Sequence, residues 1–251
     1  MTDSILKTQD LKVAFGETKI LQGISIDFEK GSTTGIIGPN GSGKTTFFNA
    51  ISGFVPSTGK ITFQDKEVQN LPPEKRARLG FGRVFQNTGI FKTLTVQENI
   101  QIALEAKMPL LSSLHPFSKV AKDAKENSLQ FLEMVSLSQK AKDKAASLSG
   151  GQMRLLEIAR TIALGAEIIL LDEPTAGVSP KMKEDLVVLI RRLQDLGKTI
   201  LVIEHDIDFI YSFCNRIVVL ESGTVFLDGR PEEVIKDDRL KEIYLGKGVA
   251  A

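Results

Sequence analysis

The chain has 251 residues, with 32 Lys plus Arg against 31 Asp plus Glu, so its formal net charge is +1. That balance excludes the basic footprint of a nucleic-acid-binding protein, and 42% hydrophobic with 25% charged residues excludes a disordered or fibrous chain. No apolar run approaches the roughly 18 residues that span a bilayer, the start Met1-Thr2-Asp3-Ser4 lacks the pattern of a secretory leader, and the one cysteine, Cys214, cannot form an internal disulfide, so the expectation is a cytoplasmic protein of one large domain or two small ones.

In chain order, Leu11 to Phe15 and Ile24 to Phe28 alternate apolar and polar residues with period two, and Lys60 to Phe63 does the same after a Ser57-Thr58-Gly59 turn. These segments predict an antiparallel β-rich lobe. Between them, Thr33 to Ile37 is a short apolar strand that runs into a glycine-rich loop and a helix from Lys44 to Ser52, closed by Gly53. From Thr95 the pattern turns helical, with Thr95 and Glu98 spaced as a capping box. Between Ser118 and Leu137, Ala121, Ala124, Ser128, Leu132 and Val135 recur at helical spacing, Lys122, Asp123, Lys125 and Glu126 form a solvated face, and Pro109 and Pro116 fence the segment off.

A helix from Gly150 to Leu164, a buried strand from Glu167 to Asp172, a helix from Pro180 to Leu196, a strand from Thr199 to Glu204 and a helix from Ile207 to Phe213 follow. Two apolar strands separated by helices predict a parallel sheet covered on both faces. Arg216 to Leu220 and Thr224 to Leu227, joined at Ser222-Gly223, predict a hairpin, and Pro231 opens one last short helix.

Gly38-Pro39-Asn40-Gly41-Ser42-Gly43-Lys44-Thr45 fits G-x-x-x-x-G-K-[ST], with a buried strand before it and a helix, continuing through Thr46, after it. The glycines let backbone N–H groups converge on phosphate oxygens at the positive end of a helix. This predicts Lys44 at the β- and γ-phosphates of ATP and the Thr45 hydroxyl on Mg²⁺. Far along the chain, the apolar strand Ile168 to Leu171 ends in Asp172 and Glu173, where ligands bind in open parallel sheets. Strand alternation sends the two carboxylates to opposite sides, Asp172 to the magnesium and Glu173 to the attacking water as general base.

A second glycine-rich helix start, Leu148-Ser149-Gly150-Gly151-Gln152, joins the loop above, Asp172-Glu173-Pro174-Thr175 and Glu204-His205-Asp206. With these motifs the chain, from about Leu11 to Leu245, resembles the ATP-binding subunits of ABC transporters. The resemblance implies an α/β fold, a P-loop ATPase with a mixed central sheet, an antiparallel β subdomain and an inserted α-helical subdomain. It implies a single domain over residues 1–251, with 1–94 and 166–251 as the nucleotide-binding core and 95–165 as the helical subdomain. It also implies a head-to-tail pair of chains, identical or paralogous, in which Ser149, Gly150, Gly151 and Gln152 cap the γ-phosphate of an ATP held by the partner's phosphate loop. Phe15 matches the residue that stacks on adenine, Gln86 the glutamine that senses magnesium and the attacking water, and His205 the switch histidine at the γ-phosphate. His115 matches no site position and reads as a surface residue. Ser179, in Ala176-Gly177-Val178-Ser179-Pro180, stands where this family often has Asp.

Three readings compete: the ATPase of a membrane importer, an ABC ATPase of translation or DNA repair, and a regulatory domain that does not hydrolyse ATP. A single cassette without long insertions disfavours the second, and Lys44, Gln86, Glu173 and His205 disfavour the third. The long segment from Gln86 to Leu148 and the tail Pro231 to Gly246 look like the branched-chain amino-acid importer ATPases and related amide systems, with the lipopolysaccharide-export ATPases as rival. The resemblance then implies a place on the cytoplasmic face of the inner membrane, permease subunits as partners, a substrate-binding protein met only indirectly, and a permease groove between the Gln86 loop and the Thr95 to Leu104 helix, with Phe91 and Leu94 as apolar contacts.

Overall fold

Alternation over the first thirty residues becomes two long antiparallel strands, β1 (Ser4–Phe15) and β2 (Thr18–Glu29). The computed structural model describes residues 3–85, 89–106 and 119–245, so the expectations placed on Gln86, Pro109, His115, Pro116, Ser118 and Gly246 lie outside the described residues, as do the side chains of Ala121, Lys122 and Asp123. β3 (Thr33–Ile37) leads into α1 (Lys44–Ser52), and β4 (Thr58–Phe63) and the short β5 (Lys66–Glu67) complete a four-stranded antiparallel sheet in the order β2-β1-β4-β5.

α2 (Pro73–Leu79) and β6 (Phe81–Val84) were not expected from the sequence. Four residues that include a glycine and an arginine carry no alternation to read. The helical stretch comprises α3 (Val96–Glu105), α4 (Lys119–Met134) and α5 (Gly150–Ala163). Ala124, Ser128 and Leu132 are buried on α4, with Val135 just beyond it, as their spacing requires. Both halves of the Thr95 and Glu98 capping box are formed, at 2.6 and 3.1 Å. β7 (Ile168–Asp172), α6 (Pro180–Asp195), β8 (Thr199–Ile203), α7 (Ile207–Tyr211) and the hairpin β9 (Arg216–Glu221) and β10 (Thr224–Gly229) follow within two residues of their expected bounds. α8 (Pro231–Lys236) is not the last helix, because α9 (Asp238–Leu245) resumes after Asp237 leaves helical geometry.

The six-stranded sheet runs β10-β9-β3-β8-β7-β6, parallel except for β10. It divides the core in two. On one face Ile36, Ile168, Leu170, Leu201 and Val218 pack with Phe47, Phe48 and Ile51 of α1 and the inner face of the antiparallel sheet. On the other Ile37, Ile169, Leu171, Val202 and Val219 pack with Ile158, Leu189 and the rest of the helical layer. Each fully buried Leu, Ile or Phe stabilises by about 1.5–3 kcal/mol, so β3, β7 and β8, buried along their whole lengths, are fixed supports for the loops at their ends.

α1 is held firmly at its C-terminal end. Gly53, in left-handed conformation, stops it, and Arg76, about 1% exposed, donates to the carbonyls of Ala50, Ile51, Leu71 and Gln69. Burial pushes Arg76 down to about 10, still a cation at neutral pH and placed where a helix C-terminus favours one. Cys214 is buried and its thiol is pushed up by burial, consistent with packing rather than thiol chemistry. No helix among the described residues is long and apolar enough to cross a membrane.

Candidate nucleotide-binding site

The loop between β3 and α1 follows its glycines. Gly38 has φ 145°, and a Cβ there would lie 2.1 Å from the Leu220 carbonyl oxygen. Lys44, 6% exposed, folds back so that its Nζ donates to the carbonyls of Gly38 and Pro39 at 2.8 and 2.9 Å. Burial lowers the Lys44 pKa, and Glu173 and Asp172 oppose that shift, so both carboxylates lie within electrostatic reach of the loop. The Ser42 hydroxyl is buried without a hydrogen-bond partner among the described residues. A buried orphan hydroxyl, a half-desolvated lysine and a helix start together fit a phosphate group. Asn40, Gly41 and Thr45 are exposed around them, and Thr46 is half-buried.

Asp172 ends β7 on the face that packs against α1 and is 8% exposed. Burial raises its pKa, opposed by Arg83, whose Nη2 donates to Asp172 Oδ2 at 3.1 Å. Among the described residues no group of three or more His, Cys, Asp or Glu could cage a metal. A single carboxylate and a threonine hydroxyl suit Mg²⁺, which keeps several waters and takes further oxygens from phosphates.

Glu173 lies beyond the strand. Its φ of 47° turns the chain out of β geometry while its N–H donates to the Ile203 carbonyl at 2.9 Å. The separation of Asp172 from Glu173 therefore comes from a left-handed residue, not from strand alternation as expected. Such a conformation costs a non-glycine residue about 1–3 kcal/mol and gathers at functional sites. Glu173 Oε1 lies 3.0 Å from His205 Nε2, across the ends of neighbouring parallel strands.

Glu204, given no role in the sequence, organises this pair. Buried, it accepts from the Thr175 N–H at 2.7 Å, the Thr175 hydroxyl at 2.6 Å and the His205 N–H at 3.1 Å. One carboxylate thus fixes the turn after Glu173 and the backbone of His205. Asp206 then caps α7 and pairs with Lys183 at 2.6 Å, which holds the Asp206 carboxyl below its usual range.

The second glycine-rich segment, Leu148 to Gln152, opens α5. Ser149 is its N-cap, its hydroxyl accepting from the Gln152 N–H while Gln152 Oε1 accepts from the Ser149 N–H. Ser149 and Gly150 are exposed, whereas a Cβ on Gly151 would fall 2.6 Å from Met182 Cγ, so α6 lies directly against this helix start. Ser179 caps α6 through the Met182 N–H at 3.3 Å. Asp and Ser are equivalent N-caps, so the departure at this position preserves the local fold.

α5 also grips Phe85 and Gly89, the described residues on either side of 86–88. Arg154 donates to the Phe85 carbonyl and Arg160 to the Gly89 carbonyl, while Glu157 Oε1 accepts from both the Phe85 and Gly89 N–H groups at 3.4 Å. Burial raises the Glu157 pKa, opposed by Arg154. This brace was missed in the sequence, where the three residues read as ordinary helix. Phe91 is exposed beneath the Arg160 guanidinium, 4.9 Å from ring centroid to cation, and Asn99 holds its backbone at 2.9 and 3.0 Å. Phe15, at 54% exposure on the end of β1, is a surface aromatic and not part of the core.

The family model described as ABC transporter matches residues 21–176, from β2 through the turn that follows Glu173. The chain belongs to the ABC transporter ATP-binding family. It is similar to the probable branched-chain amino acid transport ATP-binding protein LivG of Archaeoglobus fulgidus, 37% identical over 247 residues that cover 96% of this chain and 95% of that one. Among solved structures it resembles the ADP conformation of an ATP-binding cassette of an ABC transporter, with a TM-score of 0.86, 36% identity, and 98% and 100% of the two chains covered. A dimeric, post-hydrolysis ATP-binding cassette bound to ADP and Pi matches with a TM-score of 0.76 and 28% identity, covering 90% of this chain and 98% of that one. As an ABC ATPase the chain binds nucleotide and hydrolyses ATP, and one cassette of its fold is dimeric.

Proposed function

We propose that this ABC ATPase powers the import of branched-chain amino acids or related amides, working on the cytoplasmic face of the inner membrane with permease subunits and a second ATPase chain. The observation that carries the reading is the likeness along nearly the whole chain to a branched-chain amino acid transport ATP-binding protein. The two glycine-rich helix starts, one in the Lys44 loop and one at the exposed Ser149, support a site shared between two chains. In this reading Phe15 stacks on adenine, and the loop from Gly38 to Thr46 holds the phosphates. Thr45 and Asp172, with Gln86, hold Mg²⁺, whose chemistry is to neutralise the β- and γ-phosphate charge. Glu173 takes the proton of the attacking water, and His205, kept in place by Glu204, contacts the γ-phosphate. Ser149, Gly150, Gly151 and Gln152 complete the site of the partner chain, carried by residues 95–165 as the helical part. The exposed Phe91 and the half-buried Leu94 offer apolar contacts to the permease.

Two variants separate these roles. Ser149→Arg is expected to leave single-chain nucleotide binding unchanged and to abolish ATP-dependent dimers in gel filtration; normal dimers would remove the shared site. Phe15→Ala is expected to lose about 1–3 kcal/mol of nucleotide affinity, the usual worth of a base on an aromatic ring, with an unchanged maximal rate. Equal affinity by titration with a fluorescent nucleotide would return Phe15 to a bystander. Transport itself is tested in proteoliposomes holding this chain and a permease that copurifies with it. ATP-driven uptake of labelled leucine or isoleucine is the expected result, and extraction of lipopolysaccharide without uptake would reverse the direction.

A further inference from the structure

Arg83 has no role in the scheme above, yet it is the cation in contact with Asp172. It sits on β6, with its side chain 7% exposed, and reaches two elements of the site at once. Nη2 donates to Asp172 Oδ2 at 3.1 Å, and Nη1 donates to Asn49 Oδ1, on α1, at 2.6 Å. Aromatic rings enclose the guanidinium: its carbon lies 4.8 Å from the Phe85 centroid, 5.6 Å from Phe54 and 5.9 Å from Phe48. Phe54 and Phe85 meet edge to face at 5.3 Å. A planar guanidinium held by stacking and by two directional hydrogen bonds has little freedom to rotate.

The consequence falls on one carboxylate. Asp172 Oδ2 is taken by Arg83, and Oδ1 accepts no hydrogen bond from any described residue. A buried carboxylate held by one oxygen presents the other in a fixed direction. We propose that Arg83 is a positioning residue for the metal, clamping Asp172 through Oδ2 so that Oδ1 is presented to the Mg²⁺ of bound MgATP. This rests on the assignment of Asp172 to the metal made above. Partners that orient a ligating carboxylate typically contribute about 10–100-fold in metal affinity.

A structural role and a positioning role separate in nucleotide binding. Affinity for a fluorescent ATP analogue is measured in EDTA and in Mg²⁺ for the wild type, Arg83→Met, Arg83→Lys and Asp172→Asn, with melting temperatures alongside. Arg83→Met is expected to bind the metal-free nucleotide within about twofold of wild type and to lose about tenfold of the gain that Mg²⁺ confers, with Arg83→Lys recovering part of it through a charge that lacks the planar fork. A full Mg²⁺ gain in Arg83→Met overturns the proposal. So does a loss of metal-free binding that tracks a fall in melting temperature in both Arg83 variants. Should Arg83→Met not fold, Arg83→Lys decides alone: metal-free binding at the wild-type level with a reduced gain supports the clamp, and an undiminished gain removes it. A full gain in Asp172→Asn overturns the metal assignment itself, an outcome distinct from a failure of the clamp.

Discussion

Glu173→Gln is expected to bind ATP as the wild type does and to hydrolyse it about 10²–10⁴ times more slowly, the usual contribution of a positioned general base. The amide keeps the size of the carboxylate and its reach to His205 Nε2, now 3.0 Å from Oε1, so the pocket is undisturbed. It cannot accept a proton from water. Because ATP then persists, chains closed around it should accumulate, and gel filtration with ATP should show a dimer that the wild type forms only transiently. Steady-state phosphate release supplies the decisive number. Turnover near the wild-type rate would move the base elsewhere, and His205 would then have to act by itself.

Gly38→Ala is expected to fail for a different reason, before any chemistry. The new Cβ would meet the Leu220 carbonyl oxygen at 2.1 Å and the Ser42 hydroxyl at 2.9 Å, and φ 145° is hostile to alanine. The Ser42 hydroxyl can rotate away, but the Leu220 carbonyl cannot yield cheaply, since Leu220 is a ladder residue of β9, buried between strands. Strain and overpacking each cost about 1–3 kcal/mol, and a loss of about 3 kcal/mol lowers the melting temperature of a chain of this size by roughly 6–12 °C. Nucleotide affinity should fall with it, because Gly38 supplies one of the two carbonyls that hold Lys44. Thermal melting with and without ATP checks both effects. An unshifted melting curve would mean that the loop relaxes freely away from β9.

Much of what depended on neighbours in sequence was legible, although α2, opened by Pro73 and stopped by Gly80, was missed. The helix from Lys44 to Ser52 and its glycine stop, the capping box at Thr95, and the hairpin at Ser222-Gly223, both of whose residues take positive φ, appear where local chemistry placed them. The phosphate loop is contiguous and so was fully readable. Pairings across distance were not. Arg83 meets Asp172 across 89 positions from a strand too short to show a period, and Glu204 reaches Thr175 across 29. Glu173 shows the opposite hazard. Period-two reasoning carried one residue too far assigned it a strand direction, when a left-handed turn had already ended the strand.

The strand that delivers the phosphate loop, β3, lies between β8 and β9, with Thr33 opposite Ile200 and Thr34 opposite Arg216. The hairpin turn beyond β9 then closes on the loop: the Gly223 N–H donates to the Ser42 carbonyl, the Gly223 carbonyl accepts from Gln22, and Gln22 Nε2 reaches Ser222 across 200 positions. Contacts so distant in sequence are slow to form, and during synthesis both neighbours of β3 leave the ribosome long after β3 itself. The apolar segment from Thr33 to Ile37 must therefore wait, unpaired, while most of the chain is made, the condition in which nascent chains recruit chaperones or aggregate. A fragment ending before Arg216 would contain every nucleotide motif named here and still lack β9, one of the two strands flanking β3, and the hairpin turn that closes on the loop. Nucleotide binding by this protein therefore reports on the pairing of β3 with β8 and β9 as much as on the presence of its motifs.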